Sequence, residues 1–340
     1  MTPSRIAIAA CVVALPVAAQ WLKQPTVGIP RTPDGKPHLT APAPRAADGH
    51  PDLSGLWRVN ADSAAYNGNI VADLKPVDIL PAADALYKQR LEDLGKDDPA
   101  IYQCLPQGPR ALFGGMEKVL QTPALIAVFY EDLSYRQIHL DGRELPKVVE
   151  STGFNDRTWL DGGHPHSEAL RITERFRRRD FGHLEVEETL YEPAVSSKPW
   201  TVTIKFDMMP DTEMLEYVCN ENERDHAHLV GKASDDAKNA VKLAPEVLSK
   251  YTGAYEFISP EDPTFVMKIN VTLSEDQLFV DIAGKDKFPM VPTSNTAFSV
   301  LGGKWEFFKD GQGRVTHLIA QAAEGDMKAV RKGDVAGGKN

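Results

Sequence analysis

The sequence predicts a mainly β protein, an antiparallel barrel or open β-meander followed by a second small β domain. From Gln121 the chain runs as short segments rich in β-branched and aromatic residues, divided by turn residues and without intervening helices. That texture favours a closed or nearly closed antiparallel barrel over an α/β sheet. A polar, Ala- and Lys-rich stretch from Asp225 to Lys242 then separates this region from a second series of strand-like runs. With 340 residues, 42% apolar and 25% charged, the chain is long enough to bury two cores.

At the N-terminus, Arg5 precedes an apolar run from Ile6 to Val17, and small residues stand at Val17 and Ala19. This is the pattern of a secretory signal over residues 1–19, cleaved after Ala19. The tetrapeptide Ile8 to Cys11 reads alternatively as a lipidation box, but too few apolar residues precede the cysteine. The expected mature chain is periplasmic or secreted and has no transmembrane segment, because no other run approaches the ~20 apolar residues needed to cross a bilayer. Residues 20–50, rich in Pro and Ala without periodicity, read as a linker. Order is expected from "HPDLSGLW", so that residues 51–229 form a barrel-like domain with an N-terminal helix. That helix is "LPAADALYKQRLEDLG", with Pro81 placed to start it and Gly95 to stop it.

Strands are expected at "LIAVFYED", "YRQIHLDG", "EALRITERF", "HLEVEETLY", "WTVTIKF" and "MLEYVCNE". Residues 230–242 form the second linker. The small domain at 243–333 opens with "LAPEVLSKYTGAYEF" and continues through "TFVMKINVTL", "QLFVDIA", "AFSVLGG", "KWEFFKD" and "VTHLIAQ".

The balance of 38 basic and 48 acidic residues gives a net charge of −10, which argues against nucleic acid or an anionic membrane as the main partner. Two cysteines outside the signal, Cys104 and Cys219, fit one structural disulfide in an oxidising compartment; a metal-ligating or catalytic cysteine is the alternative.

The densest chemistry lies in "GGHPHSEALRITERFRRRDFGHLEVEETL", residues 162–190. A three-residue hairpin loop at Asp180 to Gly182, with Gly182 left-handed, sets Arg179 opposite His183. In that register Leu170, Ile172 and Phe176 share a face with Leu184, Val186 and Leu190. The outer face pairs Arg175 with Glu187 and Arg177 with Glu185, which accounts structurally for most of the charge. Glu174 then faces Glu188 within the apolar face. Opposed carboxylates in a dry site raise at least one pKa and suit a general acid or base, unless a neighbouring strand or Arg178 neutralises them.

His166, with Glu168 or Asp161 as orienter, is the candidate general base. The HxH pairs His164/His166 and His226/His228 supply nitrogen ligands for zinc or copper if they converge. Tyr130, Tyr135, Trp159 and Arg178 lie on or beside predicted strands and are candidate ligand-contacting side chains; core filling is the alternative for the aromatics. No GxSxG elbow, P-loop, HExxH or strand-following GxGxxG is present in the sequence.

The motifs "PDLSGLW", "CLPQGPR", "STGFNDRTWLD", "PHSEALRITERFRRRDFGHLEVE", "KPWTV" and "LEYVCNENE" resemble a family of secreted β-rich proteins of acidobacteria and proteobacteria, over roughly residues 50–229. The resemblance implies export and a β-rich fold, and it carries no activity. In that family a longer strand-bearing segment separates the equivalents of "DGRELP" and "ESTGFND"; here only Lys147, Val148 and Val149 do, which implies one strand fewer and a sheet open at that point. The region from Leu243 to about Gly333 is similar to the small lipocalin-like β domain found behind serine β-lactamase-related hydrolases. No Ser-x-x-Lys motif precedes it, so no hydrolase activity is carried over.

Three functions follow as expectations. The first is a periplasmic protein that binds a small, partly apolar molecule in a lipocalin-like β cup. The second is a lyase, isomerase or hydrolase using His166 with Glu168, Glu174 or Glu188 for proton transfer. The third is a metal-dependent protein using both HxH pairs.

Overall fold

A computed structural model describes residues 25–102, 104–140, 149–215, 217, 232–260, 265–284, 286–322 and 325–333. It is mainly β, and its strands form two separate antiparallel sheets.

The first sheet comprises β1 (Gly55–Val59), β2 (Met116–Gln121), β3 (Leu125–Tyr130), β4 (Tyr135–His139), β5 (Val149–Ser151), β6 (Arg171–Arg178), β7 (His183–Tyr191) and β8 (Trp200–Met208). Its order is β4-β3-β2-β1-β8-β7-β6-β5. The first strand therefore pairs with both β2 and the last strand, as in a barrel, while β4 and β5 have one neighbour each among the described residues. The strands β4 and β5 flank the link between "DGRELP" and "ESTGFND", the place where the family resemblance implies an open sheet.

Alternation along each strand builds one apolar face. On β8, Trp200, Val202, Ile204, Phe206 and Met208 are buried while the residues between them face outward. Trp57, Val119, Val128, Ile172, Leu184 and Val186 complete this interior.

The hairpin β6–β7 has the register expected from its apolar pattern, with Glu174 opposite Glu188 and Arg175 opposite Glu187. The turn differs in its reason for glycine. Gly182 does not occupy the left-handed region; a Cβ there would lie 2.5 Å from Leu39 Cβ and 3.0 Å from the Leu39 carbonyl oxygen. The segment that approaches it also accepts hydrogen bonds from the Phe181 and Gly182 N–H groups at Ala41 and Leu39. Residues expected to be a free linker are thus docked on the barrel end, with Arg31 paired to Asp211 and Ala41 buried.

Helix α1 (Pro81–Glu92) starts at Pro81, and the Gly95 N–H closes its end on the Arg90 carbonyl with φ +65° at the glycine. The described residues of "MLEYVCNE", Met214, Leu215 and Tyr217, lie outside any strand.

The second sheet is a closed barrel of β9 (Gly253–Ile258), β10 (Val266–Ser274), β11 (Gln277–Ile282), β12 (Asp286–Pro292), β13 (Ala297–Val300), β14 (Gly303–Lys309), β15 (Val315–Ala322) and β16 (Gly325–Gly333), in which β16 pairs back to β9. Its interior is filled by Tyr251, Tyr255, Phe298 and Phe307. Two of these strands escape the sequence pattern: "DKFPMVP" has two prolines and "GDMKAVRKG" is mostly polar or small.

Candidate functional site

The apolar face of the first sheet carries a group of polar side chains. Glu174 on β6 and Glu188 on β7 are cross-strand partners and are 1% and 0% exposed. Glu117 on β2 and Tyr130 on β3 are likewise partners and both buried. From edge strand β4, Arg136 reaches across the open side of the sheet and donates from Nη1 to Glu174 Oε2 at 2.6 Å. Period-two alternation explains each position, because Arg136 and Ile138 alternate with exposed Tyr135, Gln137 and His139. The curl of the sheet brings together residues from five strands.

The neutralising cation is therefore Arg136, and not Arg178. The Arg178 guanidinium donates to the carbonyl oxygens of Asp52, Ser54, Asp180 and Phe181 and lies over Trp57 and Phe181. Burial lowers its pKa to about 10. It pins one end of the barrel, so its donors are committed to the scaffold.

The electrostatics of the interior follow from three carboxyl groups sharing one guanidinium. Burial raises the Glu117 carboxyl to about 7, opposed by Arg136 and reinforced by Glu174. Burial and the adjacent Glu174 push the Glu188 carboxyl well above the ordinary carboxylate range, so the site favours its protonated form. Burial works against the Arg136 charge, but Glu174, Tyr130 and Glu117 outweigh it and its pKa is raised. Burial also raises the Tyr130 phenol, which stays protonated. Among the described residues, Tyr130 Oη, Arg136 Nε, Glu174 Oε1 and both Glu188 carboxyl oxygens have no hydrogen-bond partner. Such atoms each cost about 1–3 kcal/mol when left so.

The histidines form a different group, in the segment before β6. Asp161 Oδ1 accepts the N–H groups of Gly163 and His164, and Asp161 Oδ2 accepts from Ile70 and contacts His164 Nδ1 at 2.7 Å. The His164 ring stacks on Tyr87 with centroids 4.1 Å apart. His166 Nε2 is 3.1 Å from Thr158 Oγ1, and its Nδ1 is buried without a partner. Burial lowers the His166 pKa, against smaller opposing effects from the Ser167 backbone, Glu192 and Asp156. Trp159 is buried beneath the Arg90 guanidinium, 4.2 Å from its ring centroid.

The charges that act on His166 are Glu192, Asp156 and Arg90, whereas those that act on Glu188 are Glu174, Arg136 and Glu117. The structure thus joins Glu174 to Glu188 and adds Tyr130, but sets His166 in a separate group. Glu168 is exposed and Tyr135 is 62% exposed on the outer face of β4. His226, His228 and Cys219 lie outside the described residues, so the second HxH pair and the partner expected for Cys104 do too. Among the described residues, no group of three or more His, Cys, Asp or Glu side chains is arranged to hold a metal, and no helix is long and apolar enough to cross a membrane.

Sequence reasoning missed Glu117 and Arg136. The signal was present in "MEKVLQ" and "YRQIH", where each sits two residues from an inward apolar side chain, Val119 or Ile138. Comparison with known proteins adds no name to this geometry: no protein-family model matches the chain, and no curated protein matches it.

Proposed function

We propose that the chain is an exported protein that binds a small, partly apolar molecule inside its first sheet, with Glu117, Tyr130, Arg136, Glu174 and Glu188 as the polar anchor. The observation that carries this reading is the set of unpartnered, buried polar atoms within an otherwise apolar interior. Export is supported by the apolar N-terminal run after Arg5 and by the sequence resemblance to secreted proteins. A Cys104–Cys219 bridge belongs to the same reading, and closing a loop of about 115 residues would contribute on the order of 4–5 kcal/mol. Thiol labelling of unreduced, unfolded protein tests it: two free thiols refute the bridge.

Proton transfer is the second reading, and one observation favours it, the Glu117 carboxyl poised at about 7. It would use Glu117 with Glu188, because His166 stands apart from both.

A binding screen decides the location. The mature chain, from Gln20, is screened against a metabolite panel by thermal shift and native mass spectrometry. Glu174→Gln/Glu188→Gln in one chain is expected to stay folded and lose the ligand. A groove of about 660 Å³ on the second barrel, lined by Val241, Leu243, Leu278 and Met290, is the competing site. Binding kept in the double variant but lost in Val241→Asp would move the site there and refute the proposal.

A further inference from the structure

The anchor is short of donors. Four of its acceptor atoms have no partner among the described residues, namely both Glu188 oxygens, Glu174 Oε1 and the Tyr130 hydroxyl oxygen. Against them stand two unpartnered donors, the Arg136 Nε–H and the Tyr130 O–H. A proton on Glu188 does not cure this shortage. Neither of its oxygens is within hydrogen-bond reach of a partner, so the acid O–H would itself be unsatisfied.

Charge narrows the class of ligand. Three carboxyl groups share one guanidinium, and that guanidinium is already bonded to Glu174. An anionic ligand would have to approach Glu174 and, as they ionise, Glu117 and Glu188 in a dry interior where like charges repel strongly. A hydroxyl brings one donor to a site that lacks several. A primary ammonium brings three N–H donors and the missing positive charge in one atom. The side chains around the cluster, Val202 opposite Glu188 and Phe176 beneath Arg136, offer apolar contact for whatever carries that nitrogen.

We propose that the interior of the first sheet takes a small organic amine, its ammonium group donating to Glu188, Glu174 and the Tyr130 oxygen while its alkyl or aryl part lies on the apolar wall. This inference rests on reading that interior as the binding site.

The test is calorimetry on the mature chain at physiological salt with three four-carbon probes: butylammonium, butan-1-ol and butyrate. Butylammonium is expected to bind, and the alcohol and the carboxylate at least tenfold more weakly. The groups facing the nitrogen are Glu117, Glu174, Glu188, Tyr130 and Arg136. Protons held by Glu117 and Glu188 compete with the cation, so its affinity is expected to fall at least tenfold from about pH 8 to about pH 5, where the amine itself remains charged. The isosteric Glu188→Gln variant, checked for an unchanged far-UV spectrum, is expected to lose the ammonium. Absent butylammonium binding, equal binding of butanol, or binding retained in Glu188→Gln each overturns the inference. A screened ligand without a basic nitrogen that is lost in the Glu174/Glu188 double variant would overturn the amine class alone and leave the binding site standing.

Discussion

Raising the pH should loosen this protein through its buried carboxyl groups, and Glu117 supplies one step of known size. Glu117 is buried, and its pKa in the fold is about 7, against an ordinary value of 4.5. Between those values the folded chain holds a proton that the unfolded chain has released. Stability from this group is therefore full below about pH 4.5, declines as the pH rises, and is flat again beyond about 7. The whole step amounts to about 3 kcal/mol. For a domain of this size that corresponds to a fall in Tm of roughly 6–12 °C. His166, whose pKa is lowered, acts in the opposite sense, losing stability as the pH falls through the values below 6.5. The two are separated by comparing wild type with Glu117→Gln, because His166 contributes equally to both. Thermal melts followed by tryptophan fluorescence from about pH 5 to about pH 8 supply the curves. The difference in Tm between variant and wild type is expected to grow in the variant's favour as the pH rises. Parallel curves would refute the assignment of a proton to Glu117.

Three further substitutions test the scaffold around the site. Arg136→Met leaves Glu174 buried without its cation and is expected to cost about 3–5 kcal/mol in urea unfolding, largely recovered when Glu174→Met is added; no recovery would deny the pairing. Arg175→Ala removes a 2.8 Å pair whose side chains are half exposed, and a loss above about 1 kcal/mol in guanidinium unfolding would contradict a purely superficial role. Gly182→Ala drives a Cβ into Leu39 and is expected to cost about 1–3 kcal/mol and to speed hydrogen exchange at the Phe181 and Gly182 amides; unchanged exchange would show that residues 39–41 do not dock there.

The hairpin was legible because its information is local. Apolar side chains at alternate positions on both strands admit one register, and that register alone places Glu174 against Glu188. What the pattern could not supply is the third dimension. Arg136 and Glu174 are 38 residues apart and sit on strands that are not neighbours, so their contact depends on how far the sheet curls. The same limit explains Gly182, where a turn rule suggested a left-handed residue but the approach of Leu39 sets the requirement. Rotamer choice is likewise beyond the pattern: Glu185 faces Arg177 in the ladder yet pairs at 2.7 Å with its diagonal neighbour Arg179. His166 and Glu174 are near in sequence, but the turn before β6 sends them to different surroundings, and proximity in the chain was a poor guide.

The central claim is that the interior carboxyl groups, and not the histidine segment, meet the ligand. Carbon-13 NMR of glutamate- and histidine-labelled mature chain, titrated with butylammonium at about pH 7, observes both at once. The account predicts that the side-chain carboxyl resonances of Glu117, Glu174 and Glu188 move together with release of protons, while the His166 ring stays still. Movement of the His166 ring with the three carboxyl resonances unchanged would contradict it.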